Sequence, residues 1–543
     1  MHAQVRPRVS GVVLGILVLW GGAGPRPAAG ATVACTLAAL QAVAPADTTL
    51  TAVTSVAATG TLPEYCQVDG YVTTPEPVNT VNFRLGLPTV WNGKFYFQGV
   101  GGFGGTIGAL DAGLGRGYAS ASTDTGHQAA GTDASWAFNN PAKKVDYGYR
   151  GTHVTTVAAQ RLTRAFYGQA AQHAYFSGCS NGGRQALMEV QRYPDDYDGV
   201  IAGDPSLGLK GFAPIAAGAS TPSRIGIYQT LLADRDHYLP ATKLPLLAQA
   251  VLANCDGKDG LVDGLISDPT QCTFDPASLQ CPSGDGPACL TAGQVATLDV
   301  LYQGVTNSAG EPVAEGFPLG HEDGPTGWQL WIVGSDPTHL AARPDGALTF
   351  TGTSSGTGDP PLGFAFLNDG LRYLSFAVDD PTYDYRTFNL DTDLPQLDLM
   401  AALRDPADPN LVAFQDNHGK LLLYHGWADP ALSALSTIRY YEDVVQAIGS
   451  VRQTAAFARL FLVPGMNHCT GGPGPNVFDT LTALERWVEQ GMAPDQIIAS
   501  HRTAGVVDRT RPLCPYPQVA RYVGTGSIDA AENFTCTPPR PAE

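Results

Sequence analysis

Charged residues are scarce in this sequence, 15% of 543 positions against 44% hydrophobic. That balance excludes a disordered chain and a coiled coil, both of which carry far more charge. The shortage falls on the basic side, with 32 Lys and Arg against 50 Asp and Glu and a net charge of −18. A body this acidic repels polyphosphate, which argues against a nucleic-acid partner. Long apolar runs are missing too. The run from Gly11 to Trp20 is ten residues, where a bilayer needs about 20. Arg6 and Arg8 precede it and Ala29-Gly30-Ala31 offers a small-residue cleavage site. Residues 1–31 are therefore expected to be a signal peptide, and the mature chain is read as secreted or periplasmic with no membrane span. No Cys-x-x-Cys pair occurs, so a zinc ribbon or a thioredoxin-type site has no support. Glycine (63) and proline (41) follow no Gly-X-Y period and describe a loop-rich globular protein, which at roughly 100–200 residues per domain divides into several units.

Cysteine is present in an even number, ten, and in an exported chain that argues for disulfides. Spacing alone does not fix their connectivity. Short loops suggest Cys255–Cys272, Cys281–Cys289 and Cys514–Cys536, with Cys35–Cys66 near the N-terminus; Cys179 and Cys469 then remain. Up to about residue 206 the chain alternates strand and helix patterns: Lys94–Gly99 as a strand, 151–168 as a helix, Ala174–Ser177 as a strand, 183–192 as a helix and Gly199–Ala202 as a strand. The alternation resumes with Leu421–Tyr424 and Leu460–Val463 as strands and 431–447 and 476–490 as helices. Such alternation predicts a mostly parallel sheet flanked by helices, with residues 32–206 and 409–543 as its two halves. Residues 207–408 lose the pattern and are read as an inserted lid over the carboxyl ends of the strands.

The sharpest motif is Gly178-Cys-Ser-Asn-Gly182, a G-x-S-x-G between a strand and a helix. Flanking glycines permit the tight turn that lifts Ser180 clear of the backbone as a nucleophile. A hydroxyl needs a base to take its proton, and in this architecture an acid and then a histidine follow at later strand ends. Asp429 in His425-Gly-Trp-Ala-Asp-Pro430 and His468 in Pro464-Gly-Met-Asn-His-Cys469 occupy those places. Taken singly, Asp429 reads as a turn residue and His468 as a structural histidine; order and context together make them a triad. His425 reads as a packing or supporting residue and His127 as a loop hydrogen-bonder. The oxyanion hole is expected from the N–H of Asn181 and from Gly101 or Gly102 in the loop Gly99-Val-Gly-Gly-Phe-Gly-Gly105. That loop lacks the following Lys of a phosphate-binding loop. Cys179 and Cys469 adjoin Ser180 and His468, so an assembled triad brings them close enough for a bridge that would fasten the histidine loop to the serine turn.

These motifs, with Trp91-Asn-Gly-Lys94, Ser122-Thr-Asp-Thr-Gly-His127, Tyr197-Asp-Gly-Val200, Cys255-Asp-Gly-Lys-Asp-Gly-Leu-Val-Asp263 and Arg511-Pro-Leu-Cys-Pro-Tyr-Pro517, resemble the tannase and feruloyl esterase family, which includes mono(hydroxyethyl) terephthalate hydrolases. The resemblance covers nearly the whole mature chain. It implies an α/β-hydrolase fold with a large lid, a serine carboxylic ester hydrolase, the five disulfides paired as above, and a structural calcium ion in the lid. Asp256, Asp259 and Asp263, three carboxylates within eight residues, suit a hard cation on their own account; by resemblance the carbonyls of Leu261 and Leu265 complete the set. The triad itself needs no cofactor. One departure stands out. Asp204-Pro205 falls where the family tends to carry a small apolar residue, placing an extra carboxylate near the serine turn.

Substrate contacts are expected from the lid segment 351–377, with Phe376 and other rings (Phe364, Phe366, Tyr373, Tyr383, Tyr385) offering an aromatic slot, although lid core accounts for most of them. Arg372 is a candidate clamp for a substrate carboxylate, against a lid salt bridge as the alternative. The resemblance favours feruloyl or other hydroxycinnamoyl esters, then galloyl esters and terephthalate monoesters. A non-catalytic secreted binding protein on the same scaffold would be separated by a p-nitrophenyl ester assay with a Ser180→Ala control, and a peptidase by parallel trials on an ester and its matching amide.

Overall fold

A computed structural model describes residues 32–208, 220–352 and 359–539; the expected signal peptide, 1–31, lies outside them. The centre is a nine-stranded sheet. Its strands in chain order are β1 Thr48–Val56, β2 Tyr65–Thr74, β3 Asn79–Pro88, β4 Lys94–Gln98, β5 Ala119–Thr123, β6 His173–Cys179, β7 Gly199–Gly203, β8 Lys420–Gly426 and β9 Ala458–Val463, and they lie side by side as β1-β2-β3-β5-β4-β6-β7-β8-β9. The pairs from β1 to β5 are antiparallel and those from β5 to β9 parallel.

Side-chain alternation along the parallel strands explains the two helical layers. Phe95, Phe97, Phe176, Val200, Leu421, Leu423 and Leu460 share one core. It is covered by α1 (Gly151–Tyr167), α2 (Asn181–Arg192) and, after β8, Ala434–Ile448. Their intervening neighbours Tyr96, Tyr175, Ile201, Leu422 and Phe461 point to the other face, onto Leu481, Leu484 and Trp487 of Thr480–Gln490. Strands buried on both faces read as apolar runs rather than alternating ones, which is why these were legible. The meander β1–β3 was not anticipated. Its β2 alternates half-buried and buried residues, and its inward positions include Gly70 and Thr74. Strand β5, Ala-Ser-Ala-Ser-Thr, is wholly buried yet has almost no hydrophobic signature.

Between β7 and β8 the chain builds a second hydrophobic cluster, from Ile225 to Leu397. Its helices are α3 Ser220–Leu231, α4 Leu244–Cys255, α5 Ala292–Gln303 and α6 Leu362–Tyr373. The disulfides Cys255–Cys272 and Cys281–Cys289 lie in this insertion, Cys35–Cys66 ties the N-terminal end to β2, and Cys514–Cys536 closes a C-terminal pair of hairpins. The fifth bridge, Cys179–Cys469, spans 290 residues. Among the described residues no helix is long and apolar enough to cross a membrane.

Candidate functional site

Strand β6 runs into a sharp turn at Ser180 and out into α2, which begins at Asn181, two residues before the sequence pattern placed it. Ser180 has φ 62°, a conformation that an L residue holds only when its surroundings over-determine it. Those surroundings are backbone: Ser180 N–H donates to Gly203 O (2.9 Å), and Ser180 O accepts from the N–H groups of Arg184 (3.0 Å) and Ser206 (3.1 Å). A Cβ at Gly178 would lie 2.4 Å from Gly182 O, so the turn closes only with glycine there.

His468 and Asp429 arrive on the loops after β9 and β8. His468 Nδ1 lies 2.7 Å from Asp429 Oδ2, and His468 lines the same pocket as Ser180. The Cys179–Cys469 bridge, with 5.9 Å between Cα atoms, joins the neighbours of the serine and the histidine. Asp429 is fixed by the N–H groups of Ala431 (2.7 Å) and Leu432 (3.0 Å) on Oδ1. Burial opposes its charge, but the adjacent His468 and the hydrogen bonds from His425 and His468 hold its carboxyl well below the usual range. With Nδ1 engaged, Nε2 is the nitrogen left to exchange a proton.

Asn181 and Gly102 also line the pocket; Gly101 adjoins it without lining it. The glycine-rich loop is strapped to α2, because Asn181 Nδ2 donates to Val100 O (3.0 Å), and Gln185 both accepts from Val100 N–H and donates to Val100 O (3.2 Å each). Asn181 Oδ1 in turn accepts from Arg184 Nε (2.7 Å) and Tyr147 Oη (3.1 Å). The N–H groups of a helix's first turn have no intrahelical acceptor and suit an oxygen that gains negative charge.

The cleft offers about 670 Å³ of non-atom space, the part open to solvent included. Its aromatic wall is Phe103, Tyr147, Trp331 and Phe366: Phe103 meets Phe366 edge-on at 5.0 Å, Trp331 stacks on Phe366 at 6.1 Å and meets His468 edge-on at 4.9 Å. Of the rings anticipated in the insertion only Phe366 lines the pocket. Phe364, Phe376 and Tyr385 are buried in the insertion's own core. Phe376 packs on Tyr383 and Phe388. Arg372 is likewise absent from the wall and reaches the Tyr383 carbonyl at 3.5 Å. The arginines that do line the pocket are Arg184, Arg224 and Arg404. Arg184 and Arg404 are committed to backbone carbonyls. Arg224 on α3 lies over Phe366 and donates to Ala431 O (3.2 Å), and it makes no ion pair among the described residues. Neither Trp331, on a π-type turn at Gln329–Val333, nor Arg224 belongs to a motif that sequence reasoning could have found.

His127 lies away from this pocket, stacked on Trp136 at 3.5 Å. Asp256, Asp259 and Asp263, the acidic residues expected to hold a cation, follow α4 in one loop. Asp256 accepts from the N–H groups of Asp263 and Gly264, Asp259 from those of Leu261 and Ser267, and Asp263 from that of Leu265 and from Arg511. Burial pushes the Asp259 and Asp263 carboxyls up, and Asp263 adds repulsion at Asp259. The donor set is all oxygen, as a hard divalent cation prefers, but the three carboxylates do not converge within 4.8 Å of one another in this structure, each being turned to its own backbone N–H groups.

A mostly parallel, helix-flanked sheet that presents a strained serine between strand and helix defines an α/β hydrolase. The match to a family described as tannase and feruloyl esterase extends over residues 66–537. A mono(2-hydroxyethyl) terephthalate hydrolase from Piscinibacter sakaiensis is 36% identical over 542 residues, covering 89% of this chain and 87% of that protein. Feruloyl esterase B of Aspergillus niger is 29% identical over 470 residues, covering 83% and 82%. Among solved structures, feruloyl esterase B from Aspergillus oryzae superposes with a TM-score of 0.77 at 25% identity, covering 92% of this chain and all of that one. The chain belongs to the tannase and feruloyl esterase family and is a carboxylic ester hydrolase.

Proposed function

We propose that the protein is an exported serine esterase that cleaves esters of aromatic acids, hydroxycinnamoyl esters first and galloyl esters next, with Ser180, His468 and Asp429 as its triad. The observation that carries this is the 2.7 Å contact of His468 with Asp429 at the edge of a pocket that Ser180 also lines. His468 takes the Ser180 proton as Oγ attacks the ester carbonyl, and Asp429 supports the imidazolium. The N–H groups of Asn181 and of Gly102 or Gly101 receive the oxyanion. His468 then protonates the leaving alcohol, and water repeats the cycle on the acyl-enzyme. Phe103, Trp331 and Phe366 supply the aromatic slot. Export is supported by five disulfides, which persist in oxidising compartments. A calcium ion held by Asp256, Asp259 and Asp263, with the carbonyls of Leu261 and Leu265, would brace the insertion without entering the reaction.

Turnover of methyl ferulate, methyl gallate and mono(2-hydroxyethyl) terephthalate, each beside a Ser180→Ala control, tests this reading. Hydrolysis of none of them by folded, disulfide-intact protein would leave a binding protein on an esterase scaffold. Arg224 favours a second reading, an anionic aromatic monoester as substrate. On that reading Arg224→Gln lowers kcat/KM for the terephthalate monoester about 10- to 100-fold, the loss of a charge-assisted contact, with little effect on neutral methyl ferulate. Equal losses on both esters reject the clamp. Arg372→Ala, outside the pocket, serves as the comparison.

A further inference from the structure

Behind Asp429 lies a second histidine and a second carboxylate that the triad does not use. His425, at the end of β8, and Asp204, just after β7, are both fully buried. His425 Nε2 faces three acceptors: Asp429 Oδ2 at 3.2 Å, the Leu432 carbonyl at 3.0 Å and Asp204 Oδ1 at 3.7 Å. A nitrogen so surrounded carries a hydrogen. The other ring nitrogen, Nδ1, meets the Thr437 hydroxyl at 2.8 Å, which can accept a second one. Asp204 is placed by its backbone: its N–H donates to Tyr424 O (2.9 Å), its φ is 34°, and its Oδ1 accepts the Gly426 N–H (2.8 Å). Its Oδ2 lies 3.3 Å from Cys179 Sγ of the bridge. Two ionised carboxylates around one buried imidazole sum to −2 when it is neutral and to −1 when it is a cation, so burial away from water favours the cation.

We propose that Asp204 is a positioning residue for the ester hydrolysis: it keeps a second proton on His425, and the His425 imidazolium bears on the same Asp429 oxygen that orients His468. This rests on the triad assigned above. His425 and His468 approach one atom, Asp429 Oδ2, from two sides. A charged donor on the His425 side draws on that oxygen more strongly than a neutral one. The pull of Asp429 on His468 is then weaker, and His468 remains an unprotonated base to lower pH. The charged or titratable groups around His425 are Asp204 after β7, Asp429 before the helix Ala434–Ile448, and, through Asp429, His468 after β9 and Arg224 on α3; Tyr424 on β8 faces Asp204. The electrostatic balance agrees. Burial alone would lower the pKa of His425, but Asp204 and Asp429 overcome it and raise it, while burial lifts Asp204 to about 6, so the pair is ionised above that pH.

Histidine-labelled NMR on the intact wild-type protein, with His425→Gln supplying the assignment, reads the proton directly. His425 is expected to show two N–H groups and an imidazolium signature at pH 7.5, and a neutral ring in Asp204→Asn. A neutral His425 in the wild type overturns the proposal whatever the activity. The pH profile of kcat/KM is the second readout. In Asp204→Asn, which keeps an acceptor for Gly426 N–H, the acid limb moves up by as much as one unit, so the rate falls several-fold near pH 6.5, where wild-type Asp204 is ionised, and much less at pH 8.5. The double variant Asp204→Asn/His425→Gln is expected to match His425→Gln alone, because the first residue acts through the second. A uniform loss at all pH values, or losses that add, marks Asp204 as merely structural and rejects the proposal. Failure of the triad itself is distinguishable: it shows as full activity in Ser180→Ala.

Discussion

Ser180 and Asp429 are the residues on which single substitutions should act most sharply. Asp429→Asn keeps the shape but loses the charge that supports the His468 imidazolium, and kcat is expected to fall about 10³- to 10⁴-fold with KM little changed. A loss below tenfold in a steady-state assay contradicts the role given to Asp429. Another buried carboxyl outside the pocket makes a pH prediction. Glu189 on α2 is 1% exposed, and among the described residues neither of its oxygens has a hydrogen-bond partner. Burial first, and then Asp196 beside it, raise its pKa well above normal. A folded-state pKa above the unfolded one contributes stability at low pH, which declines as pH rises past the unfolded value near 4.3. Glu189→Gln is therefore expected to raise Tm at pH 8 relative to the wild type and to show less benefit at pH 4; thermal melts showing the opposite ordering would refute it. The contact of His468 with Asp429 was legible in the sequence because the two, like Ser180, stand after strand ends in a fixed order, with Ser180 and His468 each beside a cysteine. Arg224 and Trp331 were not, because they reach the pocket through tertiary packing from elements with no local signature.

At the level of elements, the serine turn and the histidine loop behave as one unit. The Cys179–Cys469 bridge closes 290 residues, which in the chain-entropy model is worth on the order of 5–6 kcal/mol. The Cys179→Ser/Cys469→Ser variant is expected to lose most of its esterase activity at temperatures where circular dichroism shows it still folded, because Asp429 keeps its place while His468 is released. Full activity in that variant would show the bridge to be dispensable. The parallel strands β4, β6, β7, β8 and β9 were readable as apolar runs, and the helices after β5, β6 and β8 followed from their periodicity. The antiparallel meander β1–β3 and the small-residue strand β5 escaped because half-polar or Ala/Ser-rich strands owe their burial to neighbours rather than to their own hydrophobicity.

On the scale of the whole molecule, the pocket lies where two cores meet. The sheet contributes Ser180, Asn181, His468 and Phe103, while the insertion contributes Arg224, Trp331 and Phe366. The two are joined by a Lys144–Asp379 ion pair and by Arg184 Nη1 donating to Arg404 O at 3.1 Å. The acidic turn of the insertion is linked to the C-terminal hairpin through Arg511–Asp263 and through Arg509 Nη2 on Asp263 O at 2.9 Å. If that turn holds calcium, EDTA lowers Tm and added Ca²⁺ restores it, and Asp259→Asn abolishes the response; a Tm indifferent to both would remove calcium from the account. The central claim, that Ser180 is the nucleophile activated by His468, is tested most directly by covalent labelling with an aryl phosphonate and peptide mass spectrometry. The account predicts one equivalent of label on Ser180, concurrent loss of esterase activity, and no labelling in His468→Ala. Label on another serine, or full activity with Ser180 modified, would contradict it.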